Sequence, residues 1–522
     1  MHKTLLILAS CALANAIFGQ HLNIKIGENF NPNEPSINLN PQKPNRLVAG
    51  ANLNNVYFSS DTGRTWTAQQ LSSPYGVWGD PVIGVDKQGD FLFLHLSNPP
   101  NGSWIDRIIC QKSNDGGLTW SPGTYMGLND NKAQDKHWIA VDPVSNHYYV
   151  TWTEFDKYGS SNPTDSSRIL FSKSTDAGAT WSPAITINRM NGDCIDSDNT
   201  TEGAVPCVGP NGEIYVSWAG PAGLVFDKST DGGQTWQTND IAVNNFPGGW
   251  DYEIPGLQRC NGLPVTACDR SGGPQHGAIY VNWTDQRNGP NDTDVWLSKS
   301  TNGGQSWSAP VRVNNDPPGR HQFLTWMAID QSNGWLWFVF YDRRHYTDNR
   351  TDVYLAVSKD GGSTFQNFRV SESPFIPSTG QFFGDYNNIV AHNGIVRPIW
   401  TRMDGVSTSI WTALVDVNAA LTSSTGDPDT GTSVDLQPNY PNPAGAETWI
   451  PFKIRQKTAV TLQIANQEGQ VVKTVFENKT YEYGKYTERV PLQEFNLPAG
   501  NYWIILVAEG KVLTRRMAVV KP

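Results

Sequence analysis

The chain has 522 residues, a formal net charge of -10, twenty Trp and 48 Gly. Its length exceeds one ordinary domain and predicts two or three folded units. The acidic balance, without a basic stripe, excludes a nucleic-acid binder, and the Trp and Gly content without long helical periodicity predicts an all-β chain rich in tight turns.

The chain opens with Met1-His-Lys and an apolar run from Thr4 to Ala16, the pattern of a secretory signal peptide cleaved after Ala16 or Gly19, so residues 1–19 are set apart from the fold. That run is too short to span a membrane, and no later stretch reads as transmembrane. Leu8-Ala-Ser-Cys11 imitates a lipoprotein box, but the apolar segment before it is short for one.

From residue 20 to 418 the chain is organised by a repeated phrase. Ser59-Ser-Asp-Thr-Gly-Arg-Thr-Trp66 returns at Ser113–Trp120, Ser174–Trp181, Ser229–Trp236, Ser300–Trp307 and Ser358–Phe365. Each copy reads as a hairpin turn in which Asp61, Asp115, Asp176, Asp231, Asn302 or Asp360 bonds backbone further on and Gly supplies a positive φ. Between copies an apolar strand, a D-x-x-G type turn and a second strand ending in Trp or Tyr recur, as in Pro81-Val-Ile-Gly-Val-Asp-Lys-Gln-Gly-Asp-Phe-Leu-Phe-Leu94. Such periodicity defines repeats, here near 33–75, 79–130, 135–190, 202–245, 263–315 and 323–371.

The phrase resembles the Asp-box of sialidase-like (BNR-repeat) β-propellers, where it sits between the third and fourth strands of a blade and away from the active face. The resemblance implies an Asp-box β-propeller, with the six box residues serving as turn residues. A seventh phrase without a box, Asp385–Val415, offers three strands, and His21-Leu-Asn-Ile-Lys-Ile26 is the fourth that closes a ring of seven. Seven blades are therefore favoured, although six remain open because sialidases have six.

Residues 419–433 form a polar Pro/Gly/Ser/Thr linker, and 434–522 a smaller β unit of Ig-like sandwich type. Its phrases Leu436-Gln-Pro-Asn-Tyr-Pro-Asn-Pro443, Gly469-Gln-Val-Val, Leu497-Pro-Ala-Gly-Asn-Tyr-Trp503 and terminal Lys521 resemble the type A C-terminal sorting domain of the Bacteroidetes type IX secretion system. That implies passage through the periplasm, type IX secretion machinery as a partner, and a secreted or outer-surface protein.

In an antiparallel blade, the starts of inner strands and the ends of second strands share one face. They bring together Asp80, Asp135, His137, Glu202, His321, Asp385 and Tyr386 from the starts, and Glu154, Arg287, Arg343, Arg344 and Arg402 from the ends. Arginines beside carboxylates suit an anionic sugar, and paired carboxylates suit acid/base work. The sialidase resemblance implies Asp80 or Asp135 as acid/base, Tyr386 as nucleophile, and Arg287, Arg343, Arg344 and Arg402 as carboxylate binders, while blade order puts Asp385 with the catalytic candidates and His137 and His321 with the substrate-binding ones. No Arg-Ile-Pro phrase marks the first inner strand, a departure from the family.

No catalytic metal or cofactor is expected. Structural Ca²⁺ is left open at Asp193–Asp198 and Asn291–Asp294, which lack EF-hand spacing. After Cys11 five cysteines remain, and the local pairs Cys194/Cys207 and Cys260/Cys268 are open as disulfides in an oxidising compartment. Two functions follow: a sialidase-like glycoside hydrolase acting on a terminal, acidic sugar, or a non-catalytic propeller lectin or adhesin binding polysaccharide or protein.

Overall fold

The structure, a computed structural model, describes residues 21–417 and 434–520 apart from 438, 455, 468, 509 and 510. The expected signal peptide, Cys11 and the 419–433 linker lie outside the described residues. Residues 21–417 form one compact unit and residues from 434 on belong to a second.

The first unit is a β-propeller of seven four-stranded antiparallel sheets. Blades 1 to 6 take their strands in chain order over residues 36–70, 79–126, 133–186, 202–244, 265–312 and 322–369. Blade 7 joins Asn388–His392, Ile395–Asp404 and Ser407–Leu414 to Leu22–Gly27 as its outer strand, with Leu22 opposite Leu414 and Ile24 opposite Thr412. Inner strands of neighbouring blades touch all round the ring, blade 7 against blade 1 included. Seven blades are thus present, and the N-terminal strand closes them.

Burial follows from this stacking. A second strand such as Phe91–Leu96 is buried along its whole length because both faces meet another blade, and it reads as a nearly continuous apolar run rather than an alternating one. The outer strands are short and open to solvent, as at Ile185–Thr186.

Each repeated phrase forms the turn between a third and a fourth strand. In blade 3, Asp176 Oδ1 accepts from Ser174 Oγ (2.8 Å) and the Thr180 backbone N–H (2.9 Å), and Oδ2 accepts from Thr180 Oγ1 (2.5 Å). The two residues after the acid are left-handed, Ala177 at φ 59 and Gly178 at φ 85. The first of that pair also fastens blade to blade. Lys173 Nζ donates to Gly232 O (2.7 Å), Lys228 Nζ to Gly303 O (2.5 Å), and at the closing seam Arg397 Nε donates to Thr62 O (2.9 Å).

At the other end, four inner strands break register near their start, between Gly79 and Val82, Asp135 and Trp138, Glu202 and Val205, and Phe323 and Trp326. Each break holds a left-handed residue, Asp80 (φ 53), Lys136 (φ 48), Gly203 (φ 76) or Leu324 (φ 48), and Glu34 (φ 51) matches them just before blade 1. A bulge of this kind re-aims the side chains around it, here at the strand starts that surround the axis.

The second unit packs a three-stranded sheet on a four-stranded one. Thr448–Ile454 alternates buried and half-buried residues, as a sandwich strand with one face on the core does. Ile450, Phe452, Leu462, Ile504, Leu506 and Met517 fill the space between the sheets.

The cysteine pairs left open by the sequence do not form, since Cys110, Cys194, Cys207, Cys260 and Cys268 are all free thiols. Cys194 lies against blade 3, bridging to Ser160, while Cys207 is on the inner strand of blade 4 and packs in the same cluster as Cys268 of blade 5. Nearness along the chain is overridden by the blade boundary.

Candidate functional site

The strand starts converge on Lys136. Its left-handed backbone sends the side chain inward, where Nζ lies 2.8 Å from Asp385 Oδ2 and 3.6 Å from Asp80 Oδ2. Asp135 Oδ1 accepts the Lys136 backbone N–H at 2.8 Å. Asp385 is bonded on a second side by Arg259, whose Nε donates to Oδ1 at 2.9 Å and whose Nη2 contacts Oδ2. Arg259 sits on the insertion between blades 4 and 5, beside the two-residue strands Asp251–Tyr252 and Cys260–Asn261. Its Nη1 reaches Asp196 (3.1 Å), which also accepts from Tyr158 Oη (2.6 Å). Glu34 accepts the Asp385 backbone N–H at 3.1 Å.

The Lys136–Asp385 pair opens on a small pocket, lined in part also by Trp138, Trp326 and Tyr386. Trp138 lies 4.1 Å from Trp326 and 5.3 Å from Tyr386 between ring centroids, an aromatic wall deep in the pocket.

Electrostatics divide the carboxylates. Burial raises Asp135 to about 7, against the pull of Lys136 and with the push of Asp80 and Asp196. Glu34 and Glu202 are held well above the ordinary carboxylate range, first by burial and then by Asp80 and Asp196 respectively. Asp385 goes the other way: burial raises it, but Lys136 and then Arg259 together hold it well below the usual value. Burial, followed by Asp80 and Glu34, keeps the Tyr386 phenol far above its ordinary value and so protonated. Asp135 and Asp385, both held against Lys136, are thus shifted in opposite directions.

Of the residues singled out by sequence, Asp80, Asp135, Asp385 and Tyr386 meet around Lys136, Tyr386 Oη lying 3.5 Å from Pro81 O. His137 is buried, and burial lowers it to about 4 although Asp80 raises it. His321 Nδ1 lies 3.1 Å from Thr293 Oγ1, and His321 O accepts from the Arg343 N–H. Arg343 is buried against Phe323, donating to Thr351 Oγ1 (3.0 Å) and Pro255 O (2.8 Å). The other arginines are tied to carboxylates of their own strand or turn: Arg287 to Asp285 (2.9 Å), Arg344 to Asp342 (2.9 Å) and Arg402 to Asp404 (2.9 Å). None of these four arginines or two histidines lines the pocket.

Lys136, Glu34, Asp196 and Arg259 complete the cluster and were not among the predicted site residues. Asn33-Glu34-Pro35 repeats the Gly79-Asp80-Pro81 entrance of blade 2, a signal that would have found Glu34. Arg259 lies in an insertion, outside the repeat, and carries no such signal. Among the described residues no three His, Cys, Asp or Glu side chains converge as a metal site. In the loops where Ca²⁺ was left open, Asp193 Oδ1 accepts from Thr200 and Asp292 Oδ1 from the Gly319 N–H, as loop caps do.

Residues 439–520 match the model of the secretion system C-terminal sorting domain. The chain is therefore addressed for export to the cell surface or the medium. No helix among the described residues is long and apolar enough to cross a membrane. No curated protein sequence matches the chain. Similar solved structures include a Hadza microbial sialidase (14% identity, 71% of this chain and 73% of that one, TM-score 0.43). A Trypanosoma rangeli sialidase in complex with sialic acid is 11% identical over 86% of this chain and 84% of its own, TM-score 0.40. A PL25 ulvan lyase is 10% identical over 78% of this chain and 100% of its own, TM-score 0.45.

Proposed function

We propose that this exported propeller is a glycoside hydrolase whose general acid is Asp135 and whose ionised partner is Asp385. The observation that carries the reading is that Lys136 holds both carboxyls differently: its Nζ lies 2.8 Å from Asp385 Oδ2 and favours the ionised form, whereas Asp135 meets only its backbone N–H, at 2.8 Å, and is pushed upward by burial. Protonated Asp135 gives its proton to the leaving glycosidic oxygen as the anomeric C–O bond breaks. Water adds to the anomeric carbon and passes its proton to a carboxylate of the site, while Asp385 stabilises the cationic transition state.

Tyr386, kept protonated, is assigned to the pocket wall with Trp138 and Trp326 rather than to attack. The expected acidic sugar rested on arginines free to receive a carboxylate. Arg287, Arg344 and Arg402 are each committed to an aspartate, and the cluster around Lys136 is rich in carboxylates, which favours a neutral sugar. One observation favours the lectin reading: Asp385 is bonded by both Lys136 and Arg259, leaving it little capacity to act on substrate.

The test is incubation of the purified exported protein with neutral and acidic oligosaccharides, analysing products by chromatography and binding by calorimetry. Cleavage that falls about 10²- to 10⁴-fold in Asp135→Asn is expected. Binding without turnover across the panel leaves the lectin reading standing instead.

A further inference from the structure

Beside the charged cluster, on the same face, two tryptophans stand open to solvent: Trp78 is 38% and Trp104 42% exposed. Neither belongs to the core, and neither lies on the box turns. Trp78 immediately precedes the Gly79-Asp80 bulge of blade 2, and its backbone N–H donates to Leu96 O at 2.9 Å. Trp104 is in the loop joining the second and third strands of that blade. The two rings meet edge to face at 5.9 Å and 89°, and Trp104 meets Tyr158 of blade 3 at 5.6 Å and 78°. Edge contacts of this kind hold large rings in place. Tyr158 connects them to the site, since its hydroxyl donates to Asp196 and Asp196 pairs with Arg259.

Holding two tryptophans partly in water gives up burial that a core position would supply. Exposed aromatics that adjoin a polar pocket read as a binding surface. The chemistry around them narrows the occupant. Asp80, two residues on, is buried with Oδ2 facing Lys136, and the partly exposed Asp196 edges the other end. An apolar face bordered by carboxylates fits a pyranose ring, whose C–H face stacks and whose hydroxyls donate. The same carboxylates oppose an anionic membrane surface.

We infer that Trp78, Trp104 and Tyr158 form a second sugar subsite, taking the residue of a glycan chain next to the one held over Lys136, so that the ligand is an oligosaccharide or polysaccharide rather than a single sugar. This rests on the central pocket being a glycan site. The platform selects for chain length, whereas the carboxylates act on the bond.

The full-length protein is titrated with hexaoses of the cello, chito, manno and xylo series and with their monosaccharides, following tryptophan fluorescence and heat. The wild type is expected to bind one hexaose at least about tenfold more tightly than its monosaccharide. In the Trp78→Ala, Trp104→Ala double variant that preference falls to within about twofold, with Tm held within about 3 °C. Trp104→Gln, bulkier and polar, serves in the same measurement if the double variant does not fold. Absence of a length preference in the wild type overturns the proposal, as does a preference that survives the substitutions. Capture of neutral phosphatidylcholine vesicles or of an apolar peptide in place of every glycan overturns it too. Cleavage measured alongside separates the two ideas: hydrolysis with an unaltered length preference removes the platform alone, and a collapsing preference without hydrolysis removes the enzyme reading alone.

Discussion

Lys136 Nζ lies 2.8 Å from Asp385 Oδ2, joining the entrance of blade 3 to the turn before blade 7 across 249 residues of sequence. Both side chains are buried, so each charge depends on the other. Removing Lys136 leaves the buried Asp385 charge with Arg259 as its remaining cation and Asp80 with none among the described residues. Lys136→Met is therefore expected to lower stability by about 3 kcal/mol, measured by urea unfolding. Because Lys136 also pulls Asp135 down, the same change moves the alkaline limb of the activity profile upward.

The pH dependence of the wild type follows from the two carboxyls. A general acid raised to about 7 is protonated below that pH, so kcat/KM is expected to be flat through mildly acidic pH and to fall above about 7. Asp385 is depressed, so loss of its charge enters only below the ordinary carboxylate range. The sign for stability is the same as for activity. A raised carboxyl pKa gives stability that is full below the unfolded value and lost as pH rises through 7. Asp135→Asn, neutral at every pH, should raise Tm relative to wild type at pH 8 and not at pH 3, by calorimetry.

The two glycines of a box differ in what surrounds them. A Cβ on Gly233 would sit 2.3 Å from Phe171 of the preceding blade, whereas on Gly232 its nearest neighbour is Lys173 Nζ at 3.9 Å. Blade 3 already carries Ala177 at the position of Gly232. Gly232→Ala is expected to cost about 1 kcal/mol, the left-handed strain alone, and Gly233→Ala about 3 kcal/mol or more through overpacking. Chemical denaturation of the two variants checks the difference.

The box acids set an acid limit on the ring. The Thr180 hydroxyl and backbone N–H, then Ser174, lower Asp176 to about 2. At Asp360 burial works upward, but the bonds from Thr364 and Ser358 prevail, and it too stands at about 2. Depressed carboxyls give stability that is present above the unfolded value and lost as pH falls through the folded one. Melting temperature should then drop between about pH 4 and pH 2, and Asp176→Asn should flatten that drop. Blade 5 shows the substitution is compatible with the turn, because Asn302 Oδ1 accepts the Ser306 N–H at 3.0 Å.

Export rests on the C-terminal unit, which has its own core. A chain lacking residues 434–522 is expected to accumulate in the periplasm with an unchanged propeller melting transition. Its normal appearance outside the cell, by fractionation and immunoblot, would refute that assignment.

Much of this was legible in the chain because it is locally encoded. A box turn is specified by Ser, Asp, Gly and Thr within eight residues, since its hydrogen bonds span no more than four positions. Ring closure was legible too, because Leu22–Gly27 is a strand with no local partner and Asn388–Leu414 supplies one strand too few. The sorting phrases of the second unit are likewise local. The site was only partly readable, for its parts are joined by tertiary contacts alone. Sequence order places Asp80, Asp135, Asp385 and Tyr386 at strand starts, but left-handed bulges re-aim the side chains there, and Lys136 reaches Asp385. Whether an arginine is free is likewise a matter of neighbours: Arg287, Arg344 and Arg402 are taken up by aspartates two residues away, while Arg259, from an insertion with no repeat to mark it, reaches Asp385. The thiols follow the same logic, since Cys207 meets Cys268 across a blade boundary that spacing along the chain does not reveal. Turn chemistry acts over a few bonds and is written in order; charge pairing in a closed ring acts through space, and only the folded ring decides it.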